Sequence, residues 1–218
     1  MDVPPLQLSA HGAAVASAER VTELADQFRT RQVIKLPGFL SPPLLAWAHR
    51  QLETASWYER THRGLASTEQ SLQENTCLGL LHFLVNDPAT LGFVETVSGQ
   101  RPLTAFAGRV YRRYPGVHED QWHDDCHPHR RVGLSVNLSR GNYEGGVFEL
   151  RLAESEQPLG SMVNVGLGDA ILFAIGEHLQ HRVSPLEGTA AKTAFAGWFG
   201  GQRDYNAILR HDPALEQL

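Results

Sequence analysis

His123 and Asp125 are separated by a single residue, and another histidine, His181, stands far downstream of them. Two imidazoles and one carboxylate make a three-point site for Fe(II) that leaves coordination positions open. Residues two apart in an extended strand share a face, so His123 and Asp125 can chelate one ion while Asp124 looks the other way. The third ligand must then come from a different strand. His181 begins the stretch His181-Arg182-Val183-Ser184-Pro185-Leu186-Glu187-Gly188, which has the pattern of a hairpin carrying a distal ligand.

An ordered series of landmarks surrounds these residues. Trp122 precedes the His-Asp-Asp tripeptide, and Arg131-Val132-Gly133-Leu134-Ser135-Val136-Asn137-Leu138-Ser139 comes after it. Then follow Tyr143-Glu144-Gly145-Gly146-Val147-Phe148-Glu149-Leu150, Gly168-Asp169-Ala170-Ile171-Leu172-Phe173, the His181 stretch and finally residues 192–199. Over residues 105–199 this series resembles the 2-oxoglutarate- and Fe(II)-dependent dioxygenases, in particular their prolyl-4-hydroxylase-like branch. The resemblance implies a double-stranded β-helix, or jelly roll, with His123, Asp125 and His181 as iron ligands. It also implies a basic residue for the distal carboxylate of 2-oxoglutarate, and Lys192 is the match. The family's usual residue there is arginine, and a lysine offers a point charge in place of a bidentate fork. Tyr114, in Tyr114-Pro115-Gly116, resembles the tyrosine that donates to the cosubstrate, with Tyr111 a weaker candidate. Asn137 departs from the second tyrosine of many relatives, although its amide could still donate to a carboxylate.

Other donors crowd the same region: His118, Cys126, His127, His129 and His178. Pro128 removes a strand donor, so 126–130 reads as a loop at the mouth of the site, with His127, His129 and Arg131 facing substrate. Cys77 and Cys126 are the only cysteines, and no cysteine pair has the spacing of a zinc site. His178 is the rival for the third position. His181 is preferred because Arg-Val-Ser-Pro follows it.

The elements that must position these groups are mainly β with α support. Short apolar or alternating runs, such as Val147-Phe148-Glu149-Leu150-Arg151-Leu152 and Thr193-Ala194-Phe195-Ala196-Gly197-Trp198-Phe199, fall between glycine and asparagine punctuation. Gly145-Gly146 reads as a tight turn. Residues 13–31 have helical apolar spacing, Val33-Ile34-Lys35-Leu36 reads as a strand, and Ser41-Pro42 opens a helix to Ala55 with a capping serine. The polar segment 57–75, broken by Gly64, reads as a loop over the site. Together these give one catalytic domain over 1–218, with helical support in 1–100, the β-helix core in 101–203 and a tail at 204–218.

With 218 residues, 42% of them hydrophobic, the chain suits one well-buried domain. A net charge of -5 and the lack of a basic stripe argue against a nucleic-acid partner. The start Met1-Asp2-Val3-Pro4-Pro5 lacks the pattern of a signal peptide, and no apolar run approaches membrane-spanning length. Two distant cysteines suit a reducing cytoplasm. The expectation is therefore a cytoplasmic dioxygenase using Fe(II), 2-oxoglutarate and O2, with ascorbate as a stimulant, that hydroxylates an amino acid or natural-product intermediate and releases succinate and CO2. A protein or peptide prolyl hydroxylase is the alternative, and a catalytically silent cupin-like binding module is the alternative from another class. The sequence leaves oligomeric state open.

Overall fold

Capping and apolar spacing set four helices in the first hundred residues. In α1 (Ala18–Arg31), Ser17 accepts from the Arg20 amide, and Val21, Leu24 and Phe28 form the buried stripe. In α2 (Pro42–Glu53) two prolines occupy the first turn, where a missing N–H is harmless. Asn75 caps α3 (Thr76–Val85), and Asp87 caps α4 (Pro88–Ser98), which stops at Gly99 in the left-handed region. The structure, a computed structural model, describes residues 3–62, 67–116 and 121–201. No single helix among them is long and apolar enough to cross a membrane.

The strands are β1 (Leu6–Ser9), β2 (Gly12–Val15), β3 (Val33–Leu36), β4 (Trp57–His62) and β5 (Ser67–Leu72) in the helical half. In the second half they are β6 (Ala105–Arg113), β7 (Arg130–Asn137), β8 (Glu144–Gly145), β9 (Phe148–Leu152), β10 (Pro158–Met162), β11 (Ala170–Ala174), β12 (Leu179–Val183), β13 (Leu186–Glu187) and β14 (Lys192–Gly200). Seven form a large antiparallel sheet in the order β3-β11-β7-β14-β6-β5-β4. The smaller sheet is β10-β9-β12, accompanied by the pair β13-β8. This is the double-stranded β-helix expected from the sequence.

The two faces of the large sheet do different work. One carries Phe106, Val110, Val132, Leu134, Val136, Leu172, Phe195 and Phe199 against Leu24, Phe28, Leu81 and Phe93 of the helices, the main core. The other turns toward the small sheet, where Val33, Ile171 and Phe173 meet Phe148, Leu150 and Leu179 in a second apolar cluster. Strand alternation places Gly133, Ser135, Ala194, Ala196 and Trp198 on this inner face.

Several expectations are corrected. Segment 57–75 is no lid loop: its residues 57–62 and 67–72 form the β4–β5 hairpin that ends the large sheet, and its tip lies outside the described residues. The expected helix over 13–31 starts at Ala18, after the β1–β2 hairpin. Ser41 makes no side-chain capping bond. The helical support also contributes β3, β4 and β5 to the large sheet.

Candidate metal centre

His181 sits at the centre of β12, on its inward face and only 6% exposed. Phe148 stacks against its ring with centroids 5.6 Å apart, and Phe173 meets it at 4.8 Å. Gly133 makes room for this arrangement, since a Cβ there would stand 2.1 Å from the Phe173 ring. His123 is tied to the same strand by paired backbone bonds, His123 N–H to the His181 carbonyl at 3.1 Å and His181 N–H to the His123 carbonyl at 2.8 Å.

Asp125 reaches the site differently from the expected strand alternation. Only His123 is bridged; the chain then turns, Asp124 Oδ1 accepting from the Cys126 amide at 2.8 Å. Asp125 itself adopts φ 54°, a left-handed conformation that aspartate tolerates better than most residues. Its Oδ2 lies 3.4 Å from His181 Nε2 and 4.0 Å from His123 Nε2. His123 Nδ1–H donates to the Gln121 carbonyl at 2.7 Å, which leaves Nε2 with its lone pair toward the others. Two donors about 2.1 Å from one ion at right angles stand about 3 Å apart, so the three ligand atoms, all within 4.8 Å of one another, would draw together to share a metal.

The carboxylate is held from behind. Trp198 Nε1–H donates to Asp125 Oδ2 at 2.9 Å, and Arg130 Nη1 reaches Oδ1 at 3.4 Å while its guanidinium stacks on the same indole at 3.6 Å. Burial opposes ionisation of Asp125, but its contacts with His181, His123 and Trp198 outweigh this and hold the carboxyl well below the usual range. Trp122 secures the segment from the far side of the small sheet, clasped by Arg151 at 4.2 Å and Arg182 at 4.7 Å. Neither Trp198 nor Arg130 was singled out from the sequence as a partner of Asp125, although a tryptophan on a strand otherwise rich in small residues was a usable signal.

Lys192 starts β14 on the inner face, 4% exposed, with Nζ donating to the Gly146 carbonyl at 3.2 Å and lying 5.6 Å from the Tyr143 ring. Tyr114 lies beyond the end of β6, 38% exposed, and its hydroxyl donates to Gln70 Oε1. The buried tyrosine of the inner face is instead Tyr111, paired in register with Ala194. Asn137 is buried, but its amide donates to the Gly166 carbonyl and its Oδ1 accepts from the Ser139 amide. That is a structural role at the end of β7 in place of the cosubstrate contact expected of it.

His127 and His129 lie in the loop after Asp125, their rings 5.7 Å apart, and Arg131 is exposed on β7. None of them joins the cluster. Among the described residues the one group placed to hold a metal is His123, Asp125 and His181, with ligand atoms all within 4.8 Å of one another; His178 stays outside it, and His118 lies outside the described residues.

A jelly roll with two imidazoles and a carboxylate converging between its sheets defines the class of non-haem iron oxygenases. Residues 109–200 match the family model described as the 2OG-Fe(II) oxygenase superfamily. No curated protein matches the chain by sequence. Among solved structures, a Pseudomonas putida prolyl-4-hydroxylase is similar with a TM-score of 0.60 at 18% identity, covering 84% of this chain and 99% of its own. A Trichoplax adhaerens prolyl hydroxylase, in complex with a hypoxia inducible factor oxygen degradation domain peptide fragment, gives 0.66 at 15% identity, with 87% and 92% covered. The non-heme alpha ketoglutarate dependent epimerase SnoN from nogalamycin biosynthesis gives 0.64 at 13% identity, with 85% and 82% covered.

Proposed function

We propose that the protein is an Fe(II)- and 2-oxoglutarate-dependent dioxygenase that hydroxylates an unactivated C–H bond of a small molecule. The observation that carries this reading is the convergence of His123 Nε2, His181 Nε2 and Asp125 Oδ2 on the inner face, with the buried ammonium of Lys192 on the same face. The donor set fits Fe(II), and with 2-oxoglutarate and O2 such a centre supplies oxidative decarboxylation to succinate and CO2 coupled to substrate oxidation. The chain's own part is positional. His123, Asp125 and His181 hold the metal, Trp198 and Arg130 hold the Asp125 carboxylate in place, and Lys192 binds the distal carboxylate of the cosubstrate. Phe148 and Phe173 dry the side of the site on which His181 packs.

Lys192 separates this reading from a silent binding module, which has no use for a buried cation on the metal-facing side. The peptide alternative is supported by the likeness to prolyl hydroxylases, and the small-molecule reading by the likeness to SnoN. The proposal includes a reducing cytoplasm, supported by one buried and one exposed free cysteine, and the absence of nucleic-acid and membrane partners. The test is succinate formation by the purified protein with Fe(II), 2-oxoglutarate and ascorbate, against a panel of amino acids and peptides. Succinate above the level of the His123→Ala variant is expected. Equal, negligible succinate from both proteins would overturn the reading.

A further inference from the structure

On the inner face of the small sheet Leu150, His181 and His123 lie side by side, Leu150 paired with His181 and His181 bridged antiparallel to His123. One residue away on the outer face the row is Glu149, Arg182 and Trp122, because antiparallel register sets Trp122 opposite Arg182. The two backbone bonds of the His123–His181 bridge form an isolated contact, not a continuous strand pairing. The outer face adds a second hold. The Arg182 guanidinium lies 4.7 Å from the Trp122 ring, and the indole reaches diagonally to Arg151 on β9 at 4.2 Å. Both cations are themselves fixed: Arg182 Nε donates to Glu149 Oε2 at 2.6 Å, Arg151 Nε and Nη2 donate to Gln180 Oε1 at 3.1 and 2.8 Å, and Arg151 Nη1 meets Glu156 at 3.3 Å.

Core packing does not account for this tryptophan. Trp122 is half-buried, belongs to neither apolar cluster of the described residues, and borders a groove of about 330 Å³ together with Glu149, Arg151, Glu156, Pro158 and Leu159. Its contacts are cation–π contacts to anchored guanidiniums, which resist sliding in a way that a loose apolar contact does not. A segment tied by one bridge can pivot about it, and a pivot of Trp122 outward carries His123 away from His181 and Asp125. We infer that Trp122 is a positioning residue for the metal site: clasped by Arg151 and Arg182 outside the sheet, it presets His123 inside the sheet to share an ion with His181 and Asp125. The inference rests on the metal site of the proposed function and identifies the device that aligns it. Arg182 follows His181 and Trp122 precedes His123, so one contact outside the sheet couples the chain neighbours of two ligands.

The test is a double-mutant cycle on Trp122 and His123, read as calorimetric affinity for Ni(II), which binds such sites more tightly than Fe(II) and so stays measurable in weakened variants. Partners that orient metal ligands contribute about ten- to a hundredfold in affinity, so Trp122→Ala should weaken Ni(II) binding by about tenfold or more while His123 is present. In the His123→Ala background the same substitution should change affinity by less than about twofold, because its effect passes through that ligand. Trp122→Phe keeps a ring for the arginines and should retain most of the affinity. The visible spectrum of the Co(II)-loaded protein should shift toward that of His123→Ala in Trp122→Ala and stay with the parent in Trp122→Phe. If Trp122→Ala does not fold, Arg151→Gln carries the same cycle, with a loss expected only where His123 is present. Equal losses in the two backgrounds would mean a general structural role and overturn the inference, as would an unchanged affinity in Trp122→Ala. A parent that binds Ni(II) no better than His123→Ala overturns the metal site itself, and the inference with it.

Discussion

Replacing Trp198 by phenylalanine removes one N–H and keeps most of a ring. The lost bond is the 2.9 Å donation to Asp125 Oδ2, the same oxygen that faces His181 and His123. A hydrogen bond to a charged acceptor contributes about 1.5–3 kcal/mol, and partners that orient metal ligands typically contribute ten- to a hundredfold in affinity. Trp198→Phe should therefore weaken metal binding by roughly ten- to a hundredfold. Arg130 touches the other oxygen at 3.4 Å, a longer and weaker contact, so Arg130→Leu should cost less than about fivefold. The assay is calorimetric titration with Mn(II) and, anaerobically, with Fe(II), on variants whose melting curves show that they are folded. A metal Kd within twofold of the parent in Trp198→Phe would refute the claim that this indole orients the carboxylate, as would a larger loss in Arg130→Leu.

Lys192→Ala should raise the KM for 2-oxoglutarate about tenfold or more in the succinate assay, since a charge-assisted bond is lost; an unchanged KM would refute that role for Lys192. Gly133→Ala places a methyl 2.1 Å from the Phe173 ring, which is flanked by Phe148 and His181 and cannot withdraw without moving the ligand. It should destabilise the fold by about 1–3 kcal/mol, read as a lower denaturation midpoint, and weaken metal binding with it. His82 is partly buried and bonded to the Gly108 carbonyl, and desolvation above all lowers its pKa. Because the unfolded chain then binds the proton more tightly, this histidine's contribution is complete above about pH 6.5 and is lost as pH falls through its folded value. His82→Gln should flatten the acid side of the stability profile between those limits, and an unaltered slope in urea melts across that window would count against it.

The pattern of what the sequence disclosed follows from where each signal is local. His123, Asp125 and His181 could be grouped because a metal needs few residue types, and the segments around them alternate in the way half-buried strands must. The β4–β5 hairpin was hidden for the opposite reason. Its inner-face residues Arg60 and Glu69 are buried against other charges and not against apolar side chains, so the polar stretch has no hydrophobic period to read. Asn137 and Tyr114 were misjudged because their long-range partners, Gly166 for one and Gln70 for the other, are set by tertiary contacts. The turn that brings Asp125 back toward His181 was equally invisible, since a positive φ at an aspartate leaves no mark in residue spacing.

Strand β14 presents different side chains on its two faces. Down the middle of the large sheet, β14 and β7 place Ala194, Ala196, Gly133 and Ser135 in adjacent register on the inner face, a stripe of small side chains between an apolar end and a charged end. Close packing would ordinarily fill such a stripe with large residues, as Phe195 and Phe199 do on the opposite face of the same strand. On the inner face the side chains are small, the Phe173 ring takes the space that Gly133 leaves, and polar groups flank the stripe: His181 and Trp198 on one side, Lys192 and the Glu69–Arg109–Arg113 network on the other. One strand thus spends its two faces differently. Its outer positions supply the packing that stabilises the fold, and its inner positions carry Lys192 and the indole that holds Asp125.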